Sequence, residues 1–79
     1  MHKQLDNQHI HFLVSSFGLM NVAWFIRLGR RGTSIETLAT YCVPNPRDHR
    51  RAMTIEALRQ ACALPDDLLP DDLRAIITA

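Results

Sequence analysis

The stretch FLVSSFGLMNVAWFI, residues 12–26, decides the fold. It is free of charge, holds the only tryptophan and all three phenylalanines, and is followed closely by Arg27, Arg30 and Arg31. Ile10, Leu13, Val14, Phe17, Met20, Trp24 and Leu28 recur at the three- and four-residue spacing of one buried helix face. Phe12, Leu19, Val22 and Ile26 fall on other faces. The segment is therefore apolar nearly all round, and such a helix must be enclosed. The pattern predicts one long helix, capped by Asp6 or Asn7 and ending at Leu28, with Gly29 just past the cap. At 1.5 Å per residue it would span roughly 33 Å, the width of a small domain. Within it, Ser15, Gly18 and Val22 form a lane for a close helix neighbour, or Gly18 marks a kink.

Working outward, Gly29-Arg-Arg-Gly32 reads as a turn. Thr33-Ser-Ile-Glu36 has the form of a capping box, the Thr33 hydroxyl accepting from the Glu36 amide while the Glu36 side chain reaches back. The second helix shows Ile35, Leu38, Ala39 and Cys42 on one face and stops at Val43, which precedes Pro44. Asn45 and Pro46 then fit the N-cap and first position of a third helix, with Asp48 in its first turn and its end near Ala63. Ile55, Leu58 and Cys62 are its core side. The tail repeats LPDDL at 64–68 and 69–73. The first copy can last about one turn, because Leu69 precedes Pro70. The second opens a short helix with Leu73, Ile76 and Ile77 as a docking stripe. No segment alternates with period two, so no sheet is expected. The predicted fold is all-α: one domain over residues 1–79, with three main helices, a short C-terminal helix, and the long N-terminal helix at the centre.

A chain of 79 residues buries only about 60% of the surface its unfolded form exposes, so its core needs reinforcement. The two cysteines, Cys42 and Cys62, lie on apolar faces and do not form the dense pattern of a disulfide scaffold. A reducing, cytoplasmic setting is expected, with oligomerisation as the reinforcement. Net charge is +1, too near zero to announce nucleic acid or membrane. Its distribution is uneven: residues 1–64 carry +4 and residues 65–79 carry −3. A membrane span needs about 20 mainly apolar residues, and this run meets His9 and His11 on one side and Arg27 on the other. Met1–His11 has Lys3 alone as a basic residue and lacks a small-residue cleavage site, so no signal peptide is expected.

Candidate chemistry is sparse. Asp66, Asp67, Asp71 and Asp72 suit helix starts better than a cation, which wants convergent oxygens. His2, His9, His11 and His49 lack zinc-ligand spacing with the cysteines. No glycine-rich phosphate loop or nucleophile elbow occurs. Neither a metal, a cofactor nor an enzymatic activity is expected. The reading that remains is a small protein-interaction module (adaptor, chaperone or regulator) acting as a homodimer or on another protein through helix surfaces. Phe12, Leu19, Val22, Trp24 and Ile26 are its candidate contacts, with Trp24 as anchor because interface hot spots favour tryptophan. The alternative is a small dimeric helix-turn-helix regulator of DNA. It would place the start of the third helix in the major groove, with Arg47, Arg50 and Arg51 assisted by Arg30 and Arg31.

Overall fold

The computed structural model describes residues 7–79. In chain order these form α1 (Gln8–Phe17), α2 (Leu19–Arg30), α3 (Ile35–Cys42), α4 (Arg51–Ala63), a single 3-10 turn (Asp66–Leu68) and α5 (Asp71–Ile77). Among the described residues there is no strand. The architecture is the expected all-α domain, with one large change.

The long first helix is two helices, turned 119° at Gly18. Gly18 sits at φ 94° and ψ 150°, a conformation open essentially to glycine alone. The break sacrifices little hydrogen bonding. The Gly18 amide donates to the Val14 carbonyl at 2.9 Å, and the Gly18 carbonyl accepts from the Val22 amide at 3.1 Å. The Asn21 side-chain amide reaches back to the Phe17 carbonyl at 2.7 Å, covering an end that α1 would leave bare.

The bend lets the apolar stretch enclose itself. α1 folds onto α4, while α2 takes the centre and meets α1, α3, α4 and α5. The core gathers Ile10 and Leu13 from α1, Val22, Ala23, Phe25 and Ile26 from α2, and Leu38, Leu58 and Leu73 from the helices around them. Asn7 precedes α1 without a side-chain cap bond, and Asp6 lies outside the described residues.

The two glycines after the apolar run have separate tasks. α2 runs past Gly29 to Arg30, and Gly32, at φ 102°, takes the left-handed position expected of Gly29. The Thr33 amide donates to the Leu28 carbonyl at 3.0 Å and the Gly32 amide to the Gly29 carbonyl at 3.2 Å, the paired bonds of a Schellman ending. Gly29 is needed for proximity instead. A Cβ on it would lie 2.5 Å from Cys62 Sγ on α4.

The next two helix starts are also shifted. Ser34, not Thr33, caps α3, its hydroxyl oxygen accepting from the Thr37 amide at 3.1 Å. α4 begins at Arg51 rather than at Pro46. Asn45 Oδ1 accepts from the Arg47 amide at 3.0 Å, and Asp48 Oδ1 from the Arg50 amide at 2.9 Å. These local side-chain bonds offer the backbone an alternative to helix, and here they win.

In the tail, the first LPDDL copy is one 3-10 turn and the second opens α5. Leu69 and Leu73 are buried, with Leu73 anchoring α5 on α2. The Arg27 guanidinium donates to the Ile76 and Ile77 carbonyls, closing the end of α5 from across the interface. Arg30 donates to Asp66 Oδ1 at 2.6 Å and to the Leu64 carbonyl at 3.0 Å. The basic body and the acidic tail thus meet within one chain.

Candidate interaction surface

The residues proposed from sequence as contacts divide into three groups. Val22 and Ile26 are completely buried in the chain's own core, so their assignment to a contact surface is corrected. Phe12 and Leu19 are half-buried and pack against that core. Phe12 meets Phe17 edge to face, with ring centroids 6.3 Å apart. Trp24 alone is exposed, at 50%.

The physical reason for this division is the phase reset at Gly18. In one continuous helix, Trp24 and Met20 share the stripe of Ile10, Leu13 and Phe17 at 100° per residue. A single non-helical residue breaks that count. α2 therefore rotates about its own axis relative to α1, turning Val22, Ala23, Phe25 and Ile26 inward and Met20 and Trp24 outward.

Trp24 is not isolated. Tyr41 on α3 is 57% exposed, and its ring centroid lies 5.9 Å from that of Trp24, with the planes tilted by 46°. Trp24 also touches Phe25 at 5.9 Å, which ties the exposed pair to the core. Met20, one helical turn before Trp24, is 68% exposed. Arg31, at the cap two turns beyond Trp24, continues the same stripe by helical spacing. Met20, Trp24 and Tyr41 thus make an apolar, aromatic face on α2 and α3 with a cation at one end. Sequence reasoning missed Tyr41. Its signal was available, since it lies off the Leu38–Ala39 face that α3 buries.

The five arginines of the DNA-binding alternative are not gathered on one helix. Arg30 is engaged with Asp66 and Leu64. Arg50 grips Asp48 through two side-chain bonds, at 3.2 and 2.9 Å. That pairing holds the Asp48 carboxyl down at about 2, below the ordinary carboxylate range, and raises the Arg50 guanidinium. Arg47 stands on the loop 43–50, and Arg51 opens α4. Among the described residues, Arg31, Arg47 and Arg51 have no carboxylate within ion-pair distance. The expected helix start carrying Arg47 and Arg50 is a pair of Asx turns, and α4 begins only at Arg51.

Other chemistry-bearing side chains stay dispersed. Among the described residues no three His, Cys, Asp or Glu side chains converge. Asp71 pairs with Arg74, and Asp72 Oδ1 accepts from the Leu73 amide at 2.8 Å. His49 is on the surface, His11 is exposed, and His2 lies outside the described residues. Cys42 and Cys62 are free thiols packed against the core. Burial pushes Cys42 up to about 11 and raises Cys62 too, so neither favours the reactive thiolate. An open groove of about 290 Å³ lies between α1 and the start of α5, lined by Ile10, Val14, Leu19 and Leu73 with His11 and Asp72. Among the described residues no single helix is long and apolar enough to cross a membrane; α1 and α2 together have the composition but are sharply bent.

No family model, curated protein or solved structure matches this chain.

Proposed function

We propose that the chain is a cytoplasmic, non-enzymatic protein-interaction module that acts as a homodimer and presents Met20, Trp24 and Tyr41 to a second protein. The observation that carries this reading is the contact between two half-exposed aromatics held by different helices. Each leaves on the order of 100 Å² of amphipathic ring outside, in the residue types that dominate interface energetics. The Trp24 ring is backed by Phe25 of the core and by Tyr41, so little conformational freedom would be lost on binding. Arg31, without an ion-pair partner among the described residues, selects the occupant: an apolar helix or strand of the partner with a carboxylate at its flank.

The test is photo-crosslinking from positions 20 and 41 in extract of the producing cells, with position 56 on α4 as control. One discrete adduct should form from 20 and 41, be missing from 56, and vanish when Trp24→Ala is added. Adducts that are absent, or the same from all three positions, sink the reading. Light scattering on the purified chain reports the second part, with the mass of two chains expected.

A further inference from the structure

α1 and α2 are joined through one non-helical residue, Gly18. The sequence on both sides is helix-competent and free of proline and charge from Phe12 to Ile26. α1 completely buries only Ile10 and Leu13, and it packs chiefly on α4, with a smaller contact to α2. Its α5 side borders the open groove, where Val14 and Leu19 are incompletely covered. It is also the first described element, so its departure would carry no other described helix with it. A short, constrained joint beside a terminal element is the geometry that permits exchange between copies.

We propose that two copies of this chain exchange α1 about Gly18. Each α1 takes the seat on the other's α4, and residues 8–30 of each chain become one continuous helix. Exchange re-forms the native contacts, because the receiving copy offers the same α4 and α2 surfaces. It also gives the uncharged run the uninterrupted helix its pattern favours. This proposal goes beyond the aromatic-face reading: exchange turns on Gly18, α1 and α4, none of which carries Trp24 or Tyr41.

The discriminating quantity is the distance between positions 11 and 31 within one chain. With 1.5 Å per residue and the observed 119° turn, it is about 17 Å in the bent chain and about 30 Å in the straight one. Spin labels on non-natural residues at these exposed positions leave the cysteines untouched, and excess unlabelled chain isolates the intrachain distance. The wild-type chain refolded at high concentration should yield a dimer with the long distance. Gly18→Ala should dimerise about tenfold or more tightly, since alanine is strained at φ 94° and is the best helix former. Monomers keeping the short distance at every concentration overturn the proposal, as does a dimer that retains it. If Gly18→Ala fails to fold, the wild-type distance decides alone. Trp24→Ala should leave the long distance unchanged, which separates failure of this proposal from failure of the aromatic face.

Discussion

Replacing Gly29 by alanine tests the close approach of α2 to α4 at Cys62. Taken alone, glycine to alanine inside a helix gains about 1 kcal/mol. Here the new Cβ would stand 2.5 Å from Cys62 Sγ and 3.4 Å from Leu38 Cδ1. Overpacking of this kind costs roughly 1–3 kcal/mol, so Gly29→Ala should lie between neutral and about 2 kcal/mol destabilising. Removing the sulfur reverses the sign. In a Cys62→Ala background, the methyl group meets the Leu38 terminus and a β-carbon at ordinary distance, and the helix-propensity gain should emerge. Cys62→Ala itself loses a half-buried group worth about 1 kcal/mol. The double-mutant cycle should therefore show a favourable coupling of about 1–3 kcal/mol. Urea unfolding followed by helical circular dichroism and Trp24 emission reads all four corners, at one fixed protein concentration because dimerisation would otherwise enter. In a chain this size, 1 kcal/mol also moves the melting midpoint by about 4–8 °C. If Gly29→Ala stabilises equally with and without the sulfur, α2 and α4 do not meet at this point and the packing described is wrong.

Three further outcomes follow from single features. Ser34→Ala should cost about 0.5–2 kcal/mol and Thr33→Ala less than about 0.5; the reverse order in urea unfolding would restore the capping box at Thr33. Asp48 has its carboxyl held below the ordinary range by Arg50, so its contribution is full above pH 4, as for an ordinary carboxylate, and is lost as pH falls towards about 2. Asp48→Asn should accordingly flatten the acid limb of a stability–pH curve, and an unchanged limb contradicts the Asp48–Arg50 pairing. With burial lifting its thiol from 9.0 to about 11, Cys42 should alkylate about tenfold more slowly than an ordinary thiol near pH 8, and denaturant should abolish the difference. Rapid alkylation of the folded chain would show that packing of the end of α3 against the core does not shield it.

Much of the fold was legible because its signals are local. Pro44 and Pro70 end segments by excluding helix from the residue before them, and both breaks occur where the dipeptides place them. The LPDDL repeat encodes one short turn and one docked helix, as observed. The starts of α3 and α4 were misplaced by one and five residues because several Ser, Thr, Asn and Asp side chains compete to cap the same stretch. Composition cannot rank these competitors; the geometry of the loop does.

The candidate site was legible only in part. Trp24 stood out by residue type, but Val22 and Ile26 were expected outside and Met20 inside. All three errors have one origin. Helical phase carries from residue to residue only while the helix is continuous, and Gly18 interrupts it.

By itself the sequence determines that this chain is all-helical, where most helices stop, and that residues 12–26 must be enclosed, because these follow from backbone and hydrophobic preferences acting over one or two turns. Tertiary structure alone decides what encloses them. A glycine is permitted at φ 94° but not compelled to be there; α4, α3 and α5 make the bent arrangement cohere by covering α1 and α2 together. That choice rotates α2, buries Val22 and Ile26, and brings Trp24 beside Tyr41 across a separation of seventeen residues. Such a pairing depends on how helices pack against one another, which no local pattern records.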